Sequence, residues 1–333
     1  MPEIRRTKPE YGGFLPLELN LGKEYFAQYE PYLRRFNSAK AGIDHLIKRI
    51  GKKRIYVPYY YCPSTTAAIE RTGIEVCFYH INETFEPEYI EDDADSIVLI
   101  VDYFGICAEK VNVFAKTIKD ADLIIDRAHN FYEEPIIEDN IHNIYSAKKF
   151  FGVPDGAYVV SKAVIPDVEA LSVSYEYADY LFLTYEKGTN AAYEKKKAAD
   201  KQIATNYAGM SKLAKGLLEN VDYERTQKQR ESNYGMLYEA FKDINTLSLP
   251  SEAASYQFPL LLKEKGRDIK KQLIANQIFV STLWSGEELQ KNGNEFEINM
   301  MEDCVFLPMD QRYEKMDIEF IIKCVKGFLF NGL

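Results

Sequence analysis

The sequence predicts an α/β protein: a large domain with a mostly parallel central sheet covered by helices, and a smaller α+β domain at the C-terminal end. Two observations predict this class. Short strands that are apolar along their whole length alternate with helices over the first half of the chain. The composition then shifts after about residue 185, and 333 residues suit one large domain plus a smaller one.

The alternation can be followed element by element. Residues 1 to about 25 are polar, contain Gly and Pro, and indicate an extended arm. AKAGIDHLIKRI is typical of a helix, and RIYVPYYY of a strand that ends at Pro58. PSTTAAIERTG predicts a helix with Pro63 in its first turn and Gly73 just past its end. Further strands and one helix are predicted, in chain order, at EVCFYHI, SIVLIVDYFG, VNVFAKTIKD (the helix), DLIID and GAYVVS.

The second half has a different character. The stretch from KGTNAAYEKKK to MLYEAFKDI is rich in Lys, Ala, Glu and Gln, and predicts two or more long helices, the first with solvated charge. YQFPLLL, QIFVSTLW and CVFLPM with a final helix DIEFIIKCVKGFLF indicate strands and helices on a smaller scale. We therefore expect a large domain over residues 1–215, including the arm, and a small α+β domain over residues 216–333.

Composition and charge exclude several classes of function. The net charge of −10 argues against nucleic-acid binding. The five cysteines are scattered and never form a C-x-x-C pair, which favours reduced thiols in the cytoplasm over disulfides or a zinc site. No run approaches 18 apolar residues, and the first residues have no apolar signal region. We expect a cytoplasmic protein without a membrane span or a metal.

One constellation indicates a cofactor. Asp126 ends the buried strand DLIID, and SAKKFFGVPDGA follows with Ser146 three residues before Lys149. These residues suit pyridoxal 5′-phosphate (PLP): the lysine can form a Schiff base, the acid can keep the pyridine nitrogen protonated, and the serine can bind the phosphate. Lys148 is the competing lysine, but the serine spacing and the apolar residues that follow favour Lys149. A helix cap or turn is the structural alternative for Asp126.

Other residues complete the predicted site. FNSAKAGIDHL offers Ser38 as a helix cap and Ala39 as a small residue, so that backbone N–H groups can bind a phosphate; an ordinary capped helix is the alternative. Tyr61 is the first choice for stacking on the cofactor ring, although a tyrosine cluster between domains explains YYY equally well. His129, three residues after the acid, could approach the phenolic oxygen or the ring face.

These residues resemble those of the nucleotide-sugar aminotransferases of the DegT/DnrJ/StrS type, within fold type I of PLP enzymes (the aspartate aminotransferase superfamily). The resemblance covers residues 30–160 best, through FNSAKAGIDHL, PYYYCPSTTAAI, VDYFG, DRAHNF and SAKKFFGVPDGAYVVS. The resemblance implies that Asp126 is the family's aspartate that contacts the pyridine nitrogen. It implies that His129 matches the His or Gln found three residues later in the family, and that Lys149 is the lysine that forms the Schiff base. The chain departs from the family at Cys62, where an aromatic is usual, and at Asp102, where a His is common. It also lacks the Asn-Tyr-Arg segment through which a partner subunit usually reaches the phosphate.

The resemblance implies a function as well. It implies a homodimer with active sites at the interface, catalytic Lys149 and Asp126, glutamate as amino donor with 2-oxoglutarate as product, and a nucleotide-linked keto-sugar as acceptor. Such chemistry serves surface polysaccharide or amino-sugar biosynthesis. Two alternatives stay open: a PLP-fold sugar dehydratase, which in the family has a His in place of the lysine, and a non-catalytic binding or regulatory protein that keeps the fold. Trp284 and Arg312 are candidate substrate contacts, although packing and a surface ion pair also explain them.

Overall fold

The computed structural model describes residues 11–20, 22–163, 165–166, 168 and 170–330. The predicted α/β class is confirmed: a seven-stranded sheet has the strand order β1-β7-β6-β5-β4-β2-β3. β2 to β6 pair in parallel, whereas β7 is antiparallel to both of its neighbours. The strands of this sheet are β1 (Leu33–Phe36), β2 (Arg54–Pro58), β3 (Glu75–Tyr79), β4 (Ser96–Val101), β5 (Asp122–Asp126), β6 (Ile141–Ser146) and β7 (Ala157–Ser161).

Helices cover the sheet and form much of the second half of the chain. The helices of the first half that pack around the sheet are α1 (Ala39–Ile50), α2 (Pro63–Glu70), α3 (Ala108–Ala115) and the single turn α4 (Ala147–Phe150). The long helices predicted after residue 185 are confirmed, with shorter ones around them. The helices after the sheet are α5 (Asp179–Lys187), α6 (Thr189–Thr205), α7 (Lys212–Leu218), α8 (Tyr223–Phe241), α9 (Gly266–Ala275), α10 (Glu287–Asn292), α11 (Glu295–Asp303) and α12 (Lys315–Phe330).

The strands form where the sequence is apolar on both faces. Every residue of β4, β6 and β7 is buried, as expected for strands covered by helices on both sides. α1 approaches the sheet closely because Gly42 faces β7: a Cβ there would lie 2.8 Å from Val159 Cγ2. This close packing fixes the N-terminal end of α1 near the carboxyl ends of the parallel strands.

The C-terminal half has its own small sheet. β8 (Phe258–Leu261) and β9 (Cys304–Leu307) pair antiparallel, and α8, α9 and α12 pack on them around a second apolar core. The expectation of a strand at QIFVSTLW is wrong, since only Ser281 in it forms an isolated bridge, with Phe306. The segment instead directs Trp284 into the main core. The domain boundary at residue 215 falls inside α7 and stays a prediction.

The predicted arm is described only in part, since residues 1–10 and 21 lie outside the described residues. Residues 11–20 contain no helix or strand, and all of them are exposed. Their anchor is Asn20, whose backbone N–H donates to Asn220 Oδ1 and whose carbonyl accepts from Asn220 Nδ2. Across the described ranges, no helix is both long and apolar enough to cross a membrane.

A buried ion pair joins the ends of β4 and β5. Arg127 Nη1 lies 3.0 Å from Asp102 Oδ2, and both side chains are fully buried. Asn130 Nδ2 and the Cys107 N–H also donate to the Asp102 carboxylate, and Arg127 Nη2 donates to Asn112. Asp102, which stands where a His is common in the family that the sequence resembles, is therefore a structural residue that fixes the turn after β4.

We predict that Asp102→Asn lowers the free energy of unfolding by about 3–5 kcal/mol, because the buried Arg127 cation loses its counter-charge. Urea unfolding followed by circular dichroism measures the change. Asp95→Asn is the matched control: it removes a pair with Lys53 in which both side chains are exposed, and it should leave stability unchanged. Equal stability of the two variants would contradict the assignment.

Candidate active site

A cavity of about 450 Å³ opens past the carboxyl ends of the parallel strands. This is the edge where ligands bind in open α/β sheets. Its walls come from the ends of β4, β5 and β6, the first turns of α1 and α2, one face of α6, and two aromatic residues of the C-terminal half. All the residues predicted for the site lie in these walls: Ser38, Ala39, Tyr61, Asp126, His129, Ser146 and Lys149.

Asp126 is the last residue of β5, and its carboxylate is held from two sides. The Ala128 N–H donates to Oδ1 over 2.9 Å, and the Tyr61 hydroxyl donates to Oδ2. Burial, and then the charge of Asp126, raises the pKa of Tyr61 well above its usual value, so the phenol stays a neutral donor. Tyr61 thus lines the cavity as a partner of the acid, whereas the sequence predicted that it stacks on a ring.

The two adjacent lysines differ in their surroundings. Lys148 Nζ lies 2.6 Å from a carboxylate oxygen of Asp200 on α6, which holds it in an ion pair. Lys149 Nζ instead lies over the Tyr256 ring, 5.6 Å from the ring centroid. Burial lowers the pKa of Lys149, and the charge of Asp126 offsets only part of this effect. Burial lowers the pKa of Lys148 too, so the two lysines differ in geometry: Lys148 is held by a carboxylate, and Lys149 is the better placed nucleophile.

Another part of the wall has the features of an anion site. The first turn of α1 faces the cavity, and Ser38 caps it by accepting from the Ala41 N–H over 3.2 Å. Ser146, at the end of β6, is buried, and its hydroxyl does not cap α4. Backbone N–H groups at a helix start, together with a free hydroxyl, suit a phosphate.

His129 is the residue of the cavity wall with the most unused hydrogen-bonding capacity. Its ring is buried, stacks on Tyr256 at 4.8 Å and on Trp284 at 5.4 Å, and neither ring nitrogen has a hydrogen-bond partner among the described residues. Burial, and then the charge of Lys149, lowers the pKa of His129 well below its usual value, so the ring is neutral. A neutral imidazole with an unused donor and acceptor in a cavity wall is ready to bind a polar ligand.

Cys62, which stands where an aromatic was expected, also lines the cavity. Burial raises the pKa of this thiol, but the Lys149 charge and hydrogen bonds from Ser64 and Thr65 outweigh burial, so that the pKa is lowered overall. The resulting wall is small and polar at this point.

Sequence reasoning missed Tyr256 and undervalued other residues of the cavity wall. Tyr256, which contacts both His129 and Lys149, follows no strand or motif, and no sequence signal singles it out. Asp200 was included in a solvated helix, although it pairs with Lys148 and lines the cavity. Trp284 was a candidate substrate contact and does lie in the cavity wall, whereas Arg312 pairs with Asp310.

Comparisons with known proteins place this geometry in a structural context. No protein-family model and no curated protein matches the chain. Solved structures do match: a DegT/DnrJ/EryC1/StrS aminotransferase of Brucella abortus is 16% identical and has a TM-score of 0.61, covering 89% of this chain and 85% of that chain. A candidate sugar aminotransferase of Streptococcus pneumoniae, in its pyridoxamine phosphate (PMP) form, is 15% identical with a TM-score of 0.64, covering 92% and 91%. The sugar aminotransferase CalS13 of Micromonospora echinospora is 11% identical with a TM-score of 0.59, covering 90% and 91%.

These likenesses extend over almost the whole of each chain. At identities of 11–16% they establish the fold. The protein therefore has the fold of the DegT/DnrJ/EryC1/StrS aminotransferases, and the predicted fold type I is confirmed.

The burial of Lys149 predicts a pH dependence of stability. Because its pKa is lower in the folded protein, the unfolded chain binds more protons between the two pKa values, and stability rises with pH across that window. Lys149→Met should therefore be more stable than the wild type at neutral pH, with the gap closing above the ordinary pKa of lysine. Thermal unfolding of cofactor-free protein from pH 6 to 11 measures the gap.

Lys148→Met is the matched control for that experiment. Burial lowers the pKa of Lys148 as well, but its amine is paired with Asp200, so Lys148→Met also leaves that carboxylate without this partner and should gain less stability at neutral pH than Lys149→Met. If Lys149→Met is less stable than the wild type throughout, the amine is not buried as described.

Proposed function

We propose that this protein is a PLP-dependent sugar aminotransferase of the DegT/DnrJ/StrS type. The observation that carries the proposal is the convergence of Lys149 and Asp126 on one cavity, while the neighbouring lysine is held by Asp200. The structural neighbours support the same reading, since the Streptococcus pneumoniae protein is known in PLP and PMP forms.

The cavity residues fit this cofactor. The phosphate would bind at the first turn of α1, at Ser38 and Ala39, and to the Ser146 hydroxyl. Asp126 would face the pyridine nitrogen, and the open nitrogens of His129 would supply hydrogen bonds at the ring. Lys149 would carry the covalent link. The cavity also contains four lysines against two aspartates, which favours a phosphate within an acidic protein.

Each residue then has a definite task. When bound, PLP supplies an electron sink for the bonds at the α-carbon of an amino acid. The Asp126 carboxylate, oriented by Ala128 and Tyr61, would face the pyridine nitrogen and favour a proton there. Lys149 Nζ would take the proton from the α-carbon of the donor and return it to the carbon on the other side of the transferred nitrogen, which is a task for the neutral amine.

The finer parts of the proposal concern substrates and assembly. We propose glutamate as the donor, a nucleotide-linked keto-sugar as the acceptor, and a role in surface polysaccharide or amino-sugar biosynthesis in the cytoplasm. A homodimer is supported by bulky side chains exposed around α5 and α6, among them Phe182, Tyr185 and Tyr193.

Borohydride reduction tests the cofactor and the lysine. We expect purified protein with PLP to absorb near the visible edge, and reduction to fix the cofactor on the peptide that contains Lys149, as located by mass spectrometry. Lys149→Ala should fold normally and lose both the fixed cofactor and half-transamination. Lys148→Ala is the control and should keep them. The opposite pattern would assign the role to Lys148, and a colourless protein would favour a binding role.

A panel of nucleotide-linked keto-sugars tests the acceptor. The protein is first converted with glutamate to its aminated cofactor form, and each sugar is then added while the absorbance of the aldehyde form is followed. We expect one or a few of these sugars to restore the aldehyde form. If 2-oxoglutarate restores the aldehyde form and none of the sugars does, the protein is a transaminase but its acceptor is not a nucleotide-linked keto-sugar.

A further inference from the structure

A one-turn helix carries the candidate catalytic lysine, and the C-terminal half holds that turn. α4 has only four residues, too few for a helix to be stable without outside contacts. Its last carbonyl, that of Phe150 next to Lys149, accepts from Gln311 Nε2 at 2.7 Å and from Arg230 Nη2 at 3.3 Å. Both donors come from parts of the chain far from α4 in sequence.

Arg230 of α8 is the centre of this contact. Its guanidinium is almost fully buried and lies over the Phe150 ring, 4.4 Å from the ring centroid. Nη1 donates to the carbonyls of Ser255 at 2.9 Å and Tyr256 at 3.5 Å, and Nε donates to Gln311 Oε1 at 2.8 Å. Its hydrogen-bond acceptors are therefore three backbone carbonyls and one amide oxygen, and they belong to the segments that form the wall around Lys149.

Those segments fix the surroundings of the lysine amine. Tyr256 has its ring under Lys149 Nζ and stacked on His129, so its backbone position sets the position of that ring. Phe150 fixes the direction in which α4 leaves the sheet. The planar guanidinium of an arginine can donate hydrogen bonds to several carbonyls in a fixed geometry, which the ammonium of a lysine cannot do.

We propose that Gln311 and Arg230 are positioning residues for Lys149: they hold the Phe150 carbonyl and the Ser255–Tyr256 backbone, and so fix the lysine amine relative to Asp126. The inference deepens the proposed function and rests on it, since it concerns the same lysine. The C-terminal half thereby controls the geometry of a residue that the large sheet provides.

The substitution Gln311→Leu tests the inference, and Gln229→Leu is its matched control. Gln229 also joins α8 to the segment around residue 313, with Nε2 donating to the Tyr313 carbonyl at 3.0 Å, but it has no contact with Phe150. Each variant loses two part-buried side-chain hydrogen bonds, those of Gln311 with Phe150 and Arg230 and those of Gln229 with Tyr313 and Asn233, and we expect similar melting temperatures. Acetic anhydride labelling of cofactor-free protein from pH 6 to 10, with each lysine resolved by mass spectrometry, reports the reactivity of Lys149 directly.

We expect Gln311→Leu to change the labelling rate of Lys149 at pH 8 by about threefold or more, and Gln229→Leu to leave it unchanged. With PLP bound, kcat should fall by about tenfold to a hundredfold in Gln311→Leu while KM for the donor stays constant. Arg230→Lys, which keeps the charge, should show the same pattern more strongly.

Two outcomes are distinguishable. Identical labelling profiles of Lys149 in Gln311→Leu and Gln229→Leu would overturn the positioning role. A wild-type protein that binds no PLP would overturn the proposed function, while the labelling comparison would still decide whether Gln311 positions the lysine.

Discussion

The register of two adjacent parallel strands is the constraint on which the rest of the site depends. Asp126, the last residue of β5, pairs with Ile144 of β6, so that Ser146 lies two residues beyond the partner of the acid and on the same face of the sheet. α4 begins directly afterwards and brings Lys149 back over the same edge. A shift of one residue in this pairing would turn Asp126 or Ser146 to the other face of the sheet and separate the acid from the lysine.

Local electrostatics in this cavity oppose the charge of the whole chain. The protein carries a net charge of −10, yet the lysines that line the cavity outnumber its aspartates. The Asp200 carboxylate forms ion pairs with Lys148 and Lys196, with N–O distances of 2.6 and 2.5 Å. Asp126 is then the carboxylate that faces Lys149. The field that a bound ligand meets is thus set by a few neighbouring groups and not by the average composition.

The sequence predicted well what is local and missed what is distant. The parallel strands are apolar throughout, and Asp126, Ser146 and Lys149 lie within one short segment, so pattern and spacing were enough to find them. Tyr256, Arg230 and Gln311 reach the site only because the second half folds back on it, and no motif marks such contacts. The strand predicted at QIFVSTLW failed for a related reason: its apolar residues serve packing in two different cores, Ile278 and Val280 in the C-terminal one and Leu283 and Trp284 in the main one, and not pairing in a sheet.

The polar groups in the cavity wall are of two kinds. Some already have hydrogen-bond partners in the protein, and others, among the described residues, have none. The Asp126 carboxylate accepts from Ala128 and Tyr61 and is oriented before any ligand arrives, while each oxygen keeps a second lone pair. His129 is equally fixed by stacking, but within the described part of the chain its ring nitrogens have no hydrogen-bond partner. Because an acid that is held in place costs little reorganisation when charge develops nearby, the bonded side is suited to electrostatic stabilisation. The open side can gain hydrogen bonds only from a ligand, and recognition therefore falls to His129 and its aromatic neighbours.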